Sequence, residues 1–235
     1  MEKSTVQLAV VLASGGLDSC VTLAIAKKES REIALLHASY GQRTEARERR
    51  AVEDIASFYR ISHRLFVTLN FLKEIGGSSL TNENLPLEEA LLASSPTSQI
   101  PSTYVPFRNS LFLSVAVSWA EALGAGKIYI GASAVDAPGY PDCRRQYFEA
   151  FNRLIEVGTK PETEIEIVTP LIGLSKAEII KKGVQLGAPL HLTWSCYQNQ
   201  DLACGRCSSC RLRLKAFNEA GIKDPVPYAK EVKIS

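Results

Sequence analysis

The stretch Leu8-Ala9-Val10-Val11-Leu12-Ala13-Ser14-Gly15-Gly16-Leu17-Asp18-Ser19 decides the fold. Its apolar half is short and rich in Leu and Val, as in a strand buried on both faces of a parallel sheet. Gly15 and Gly16 then permit backbone angles, and a close approach to a ligand, that a side chain would block. The helix Cys20-Val21-Thr22-Leu23-Ala24-Ile25-Ala26 follows, with Asp18 or Ser19 expected to cap it. Free N–H groups at such a helix start attract an anion. The turn lacks the Gly-Lys-Ser/Thr ending of a Walker loop, so a γ-phosphate site with Mg²⁺ on the hydroxyl is not implied. The alternative is an ordinary strand–turn–helix that binds nothing.

Outward from this stretch, strand and helix patterns alternate. Glu32–Ala38, Arg64–Leu69, Lys127–Gly131 and Glu164–Thr169 read as strands. Thr44–Tyr59, Arg108–Gly124, Arg145–Gly158 and Ser175–Gly187 read as helices, the first with Ala46, Ile55 and Phe58 facing inward. Ser175 and Glu178 have the spacing of a capping box. Strands separated by helices predict a doubly wound, mostly parallel α/β sheet, whose ligands sit at the carboxyl ends of the strands. Residues 76–106 break the rhythm. The segment is long and polar and holds Pro86, Pro96, Pro101 and Pro106, so it reads as a lid or substrate loop.

A chain of 235 residues with 46% apolar content fits one large α/β domain with a small appendage. The net charge of +2 argues neither for nor against a nucleic-acid partner. The densest basic stretch, Arg43–Arg50, is interrupted by Glu45 and Glu48 and reads mainly as a solvated helix face. The N-terminal apolar run is too short, and too closely followed by the glycine turn, for a signal peptide. No stretch is long and apolar enough for a membrane span.

Of six cysteines, four lie between Cys196 and Cys210, which suggests a metal and a reducing compartment. Cys204, Cys207 and Cys210 stand two residues apart, with Cys196 upstream. Four thiolates without a spare ligand describe a closed, structural zinc site. An iron–sulfur cluster and unliganded thiols are the alternatives. The basic helix after Cys210 is expected to pack this knuckle onto the main domain.

Other candidates lie on the ligand side of the sheet. Tyr40, Gln42 and Arg43 follow the second strand. Arg108 and Asn109 open a helix, where they suit anions or a polar heterocycle. Asp136, Tyr140, Asp142 and Arg144 follow the fourth strand, and Asp142 with Arg144 could present an acceptor and a bidentate donor together. A surface salt bridge is the plainer reading of that pair. Lys176, in the first turn of its helix, could neutralise phosphate. Solvated charge is the plainer reading of Arg108 and Lys176. Cys143 has no histidine near it in sequence, and His37, His63 and His191 read as structural.

Ser14-Gly15-Gly16-Leu17-Asp18-Ser19 matches the SGGxDS pyrophosphate loop of the N-type ATP pyrophosphatases, which split ATP between its α- and β-phosphates and adenylate an acceptor. Together with Tyr40–Arg43, Val105–Asn109, Gly139–Arg144, Leu174–Ile179 and the four cysteines, it makes the chain similar to the 7-cyano-7-deazaguanine synthases of the queuosine pathway. Pro138 and Phe107 depart from the family's usual residues.

The resemblance implies an adenine-nucleotide alpha-hydrolase-like, Rossmann-like domain over residues 1–190, and a zinc-binding region over 191–235 held by Cys196, Cys204, Cys207 and Cys210. It implies a cytoplasmic enzyme that uses ATP with Mg²⁺, ammonia and 7-carboxy-7-deazaguanine, a homodimer being compatible, with no nucleic-acid or membrane partner. In this reading Ala13, Ser14, Gly15, Gly16, Leu17, Asp18, Ser19 and Cys20 hold ATP. Asp18, Lys176 and Arg108 are catalytic. Tyr40, Gln42, Arg43, Phe107, Asn109, Asp136, Tyr140, Asp142 and Arg144 meet the acceptor. Another enzyme of the superfamily, acting on tRNA, protein or a different base, and a zinc-dependent nucleic-acid module are the rival readings.

Overall fold

The computed structural model describes residues 6–87, 100–134 and 139–229. The elements run β1 (Val6–Leu12), α1 (Leu17–Glu29), β2 (Ser30–Ser39), α2 (Glu45–Phe58), β3 (His63–Thr68) and α3 (Phe71–Ile75), then α4 (Arg108–Leu123) and β4 (Lys127–Tyr129). After a 3₁₀ turn at Pro141–Cys143 come α5 (Arg145–Gly158), β5 (Glu166–Val168), α6 (Lys176–Gln185) and α7 (Ser208–Ala220). The strands form one five-stranded sheet in the order β3-β2-β1-β4-β5. Every pairing is parallel.

β1 is central and its side chains serve both faces, which is why its sequence is apolar without alternation. Val10 and Leu12 pack with Leu113, Ala116 and Ala120 of α4 and Phe148 and Phe151 of α5. Ala9 and Val11 pack with Leu23 and Ala26 of α1 and Val52 and Ile55 of α2. A third layer lies outside α1, where Leu17, Val21 and Ile25 meet Ile179 and Ile180 of α6 and Ala216 and Phe217 of α7. At Gly183 a Cβ would stand 2.8 Å from Val21 Cγ2, so α6 approaches α1 more closely than any other residue would allow. Among the described residues, no helix is long and apolar enough to cross a membrane.

The predicted elements recur with shorter edges. β4 ends at Tyr129 and β5 spans Glu166–Val168 because each pairs over three residues only. On α2 the inward residues are Ala51, Val52, Ile55 and Ala56. Ala46 and Phe58, expected to face inward, are exposed. The expected capping of α1 by Asp18 or Ser19 is also corrected. Gly16 is the N-cap, without a side-chain bond, and Asp18 and Ser19 lie within the first turn.

α7 docks through a buried ion pair as well as through Phe217. Arg213 presents Nε and Nη2 to the two oxygens of Asp224, at 2.7 and 3.0 Å, with both side chains about 95% buried. Nη1 reaches Thr193 Oγ1 at 2.8 Å, and Tyr228 donates its hydroxyl to Asp224 at 2.7 Å. A bidentate pair with every donor used fixes three chain segments at once. Asp224→Asn leaves the guanidinium buried without its counter-charge. The expected cost is about 3–5 kcal/mol, read from the urea midpoint, with much of it recovered in an apolar double replacement of Arg213 and Asp224.

Candidate active site

The sheet changes direction between β1 and β4, since the chain winds outward from β1 to β3 and returns to β4 on the other side. Loops leaving these two strands part and open a crevice at their carboxyl ends. The β1 loop is Ala13–Gly16. Ser19 Oγ accepts from Ser14 N at 3.2 Å and from Ser14 Oγ at 3.1 Å, and donates to Gly16 O at 3.0 Å. The turn is therefore tied across its own mouth. Gly131, at the end of the β4 side, lies so near that a Cβ there would be 3.0 Å from Ser19 N.

Gly15 has φ 78°, and a Cβ on it would stand 2.6 Å from the Glu48 carbonyl oxygen. Both the angle and the crowding require glycine. From the other side, Trp194 N–H donates to Gly15 O at 2.8 Å. Beneath the turn, His37 Nδ1 lies 2.8 Å from Ala13 O. Burial lowers the His37 pKa, so the ring is neutral and Nδ1 carries the proton it donates. Leu17 and Cys20 send their side chains into the two cores beside α1, and burial pushes the Cys20 thiol up to about 12. They, like Ala13, can meet a ligand only through the backbone.

Above the turn, Lys176 Nζ pairs with Asp18 Oδ2. The capping box is formed as predicted. Glu178 Oε2 accepts from Ser175 N at 2.8 Å, and Ser175 Oγ from Glu178 N at 3.4 Å. That cap fixes where α6 begins and so where its first side chain, Lys176, stands. Asp18 Oδ1 is buried without a partner.

The opposite wall is built on the start of α4. Arg108 donates from Nη1 to Tyr40 OH at 2.7 Å, and its guanidinium lies over the rings of Tyr40 and Phe112 at 5.0 and 5.5 Å. Its Nε is buried and unpartnered. A fixed cation at a helix N-terminus adds to the positive end of the helix dipole and makes a strong anion site. Phe107, just before it, is 63% exposed and adopts φ 55°, a strained angle for an aromatic residue at a crevice mouth.

Asn109 joins this wall to the β4 loop. Its N–H donates to Asp142 Oδ2 at 3.1 Å, and its Nδ2 to Asp142 O at 3.0 Å. Burial raises the Asp142 pKa against that bond and the charge of Arg108. Arg144 is exposed, and the described ion pairs do not include Asp142 with Arg144, so the sequence neighbours do not act as a pair. Cys143 is raised to about 11 by burial and by Asp142, and is a thiol rather than a nucleophilic thiolate. Arg108 lowers the Cys143 pKa and Asp18 raises it, so charge from both the α4 start and the β1 turn reaches this thiol. Tyr140 OH lies 2.5 Å from Thr103 Oγ1. Asp136 and Pro138 lie outside the described residues, as does the centre of the 76–106 loop.

Several residues of this site were not singled out in the sequence. Glu48, read with its neighbours as a solvated face, accepts from Thr44 at 2.8 Å and from Gln42 Nε2 at 3.0 Å, and burial raises its pKa. Gln42 in turn accepts from Tyr40 N at 2.8 Å. Arg47 lies 4.4 Å over the Trp194 ring. Tyr197 packs against both the Tyr40 cluster and the cysteine cluster. The signal available for these was position alone: Thr44 and Glu48 at i, i+4, and aromatics flanking Cys196.

The sulfurs of Cys196, Cys204, Cys207 and Cys210 lie within 4.8 Å of one another and could hold a metal ion. Backbone N–H groups of Gln198, Asn199 and Cys204 point at Cys196 Sγ at 3.3–3.4 Å. With hydrogen bonds from Cys207 and Cys210 foremost, they pull the Cys196 thiol far below its usual range. A converging, amide-supported set of sulfurs suits a thiophilic ion in tetrahedral coordination.

A family model described as queuosine biosynthesis protein QueC matches residues 8–221. A 7-cyano-7-deazaguanine synthase of Chlorobium chlorochromatii is 55% identical over 220 residues, 94% of this chain and 95% of that protein. One of Chloroherpeton thalassium is 56% identical over 94% of this chain and 96% of that protein. Among solved structures, NMN synthetase of Francisella tularensis shares the fold, with TM-score 0.50 and 13% identity over 94% of this chain and 79% of that one. With both walls of the crevice lying inside the matched residues, the chain belongs to the QueC family of queuosine biosynthesis proteins.

Proposed function

We propose that the protein converts 7-carboxy-7-deazaguanine and ammonia to 7-cyano-7-deazaguanine, with ATP cleaved to AMP and pyrophosphate. One observation carries this reading: the glycine turn after β1 bears a lysine on its Asp18, and a fixed, half-buried arginine opens α4, both at the carboxyl side of the sheet. The acceptor carboxylate attacks the α-phosphorus, and the bond to the β-phosphate breaks. Ammonia then adds to the acyl carbon and AMP leaves, giving the amide. The amide oxygen attacks a second ATP in the same way, and loss of AMP and a proton leaves the nitrile. No covalent protein nucleophile is needed, because adenylation makes the leaving group. The protein positions two anions and offsets charge at phosphorus.

In this reading the backbone of Ala13–Cys20 cradles the β- and γ-phosphates. Lys176 balances the charge that develops at the α-phosphate. Asp18, whose Oδ1 has no protein partner, would help hold Mg²⁺. Arg108 receives the acceptor carboxylate. Phe107 or Tyr140 lies against the heterocycle, Asp142 or Asp136 is the acceptor for its N–H edge, Asp136 lying outside the described residues, and Arg144 belongs to the same loop. Tyr40, Gln42 and Asn109 hold those groups in place. Residues 191–235 form a zinc-binding region seated on the domain of residues 1–190. The six reduced cysteines suit the cytoplasm.

Purified protein given ATP, Mg²⁺, ammonia and the carboxylate is expected to yield AMP, pyrophosphate and the nitrile, identified by mass. Asp18→Asn should lower turnover by about 10²–10³, because the Mg²⁺ that Asp18 would hold offsets the charge developing on the phosphates. ADP and phosphate as products would overturn the reading. Elemental analysis is expected to find about one zinc per chain in a colourless protein. Structural zinc of this kind is worth roughly 10–16 kcal/mol of apparent binding in small peptides, so a chelator should loosen the segment around Trp194 and weaken ATP binding. Iron, or a visible charge-transfer band, would refute that assignment.

A further inference from the structure

We infer that Arg43 is a positioning residue that pins the two described arms of the 76–107 segment into the wall facing the acceptor, rather than a group that touches the acceptor itself. The inference rests on the reading of the crevice as an acceptor site. Its basis is a convergence of backbone carbonyls on one guanidinium. Arg43 Nε donates to Ser79 O at 2.8 Å, and Nη2 to Asn82 O at 2.9 Å and Leu85 O at 2.5 Å. Its own backbone N–H donates to Leu80 O at 3.1 Å. A planar fork can reach carbonyls in three directions, while an ammonium is a single point of charge.

The clamp is transmitted to the other arm and to the site. Ser79 N donates to Ser102 O at 2.8 Å, and the two hydroxyls lie 3.2 Å apart. Next to Ser102, Thr103 bonds the Tyr140 hydroxyl, and Tyr104 OH accepts from Phe107 N at 2.9 Å. Leu80, held between Ser79 and Thr81, packs with Tyr40 and Val105 in one buried cluster. Tyr40 is the partner of Arg108. Thus Tyr140, Phe107 and Tyr40 all rest on a segment that a single guanidinium fastens. With Nε and Nη2 already committed to carbonyls, Arg43 is poorly placed to offer the same fork to a ligand.

The test compares the zinc-loaded full chain with Arg43→Ala and Arg43→Lys by two readouts. In the ligand-free protein, chymotrypsin cleavage within 76–87 and 100–107, located by mass, should run about tenfold faster in both variants, because a loop's protection follows its local stability. In steady state, the acceptor KM should rise about ten- to a hundredfold, the worth of a lost charge-assisted hydrogen bond, with ATP KM within about threefold. If Arg43→Ala does not fold, Arg43→Lys carries both readouts. A raised acceptor KM with unchanged cleavage overturns the inference, since it means direct contact. Unchanged cleavage with unchanged KM overturns it too, as does full restoration by lysine. A wild type that turns over no such carboxylate sinks the functional reading, whereas an unchanged cleavage rate sinks the clamp.

Discussion

At Gly15 there is no room for a side chain. The Glu48 carbonyl stands where a Cβ would go, and the Trp194 amide holds the glycine's own carbonyl from the far side. That crowding joins three distant parts of the chain: the turn after β1, the start of α2 and the segment leading into the cysteines. Each part brings something to the crevice. α2 brings Glu48, which fixes the turn carrying Gln42 and Tyr40. The cysteine segment brings Tyr197 against the Tyr40 cluster. The geometry around Tyr40 and Arg108 therefore depends on how tightly the chain closes around Gly15.

The charges of the site are arranged by the same closure. Arg108 is half-buried against aromatic rings with a tyrosine hydroxyl on one nitrogen. Against the rise that burial causes, its charge lowers the pKa values of Glu48 and the buried Asp142, and neither makes a described ion pair with it. A cation desolvated this way, at a helix start, keeps its field directed into the crevice instead of losing it to water. The neutral His37 fits this pattern, since it supports the turn after β1 by a hydrogen bond without adding charge beneath it.

The features legible in the sequence were those encoded locally. β1, its glycine turn and α1 follow from a contiguous run, the α6 cap from two residues three apart, and the sulfur cluster from cysteine spacing. What was hidden was encoded across the fold. Asp142 looked to Arg144 because they are neighbours, yet its partner is Asn109, brought near by the α4–β4 crossover. Glu48 sits in a run of arginines, yet its carboxylate is taken up by Thr44 and Gln42 on the preceding turn. Ala46 and Phe58 fit a helical stripe but lie off the face that meets the sheet, which Val52, Ile55 and Ala56 fill.

The bond from Trp194 to Gly15 also orders events in time. The turn at Gly15 leaves the ribosome before Trp194, and β1 can pair with β2 soon after it. Trp194 and the cysteines follow on the order of ten seconds or more later at ordinary rates of synthesis. Until they arrive, the Gly15 carbonyl lacks its partner and the crevice lacks one side. A chain that has passed β2 but not yet reached Trp194 therefore carries the glycine turn in an unfinished form.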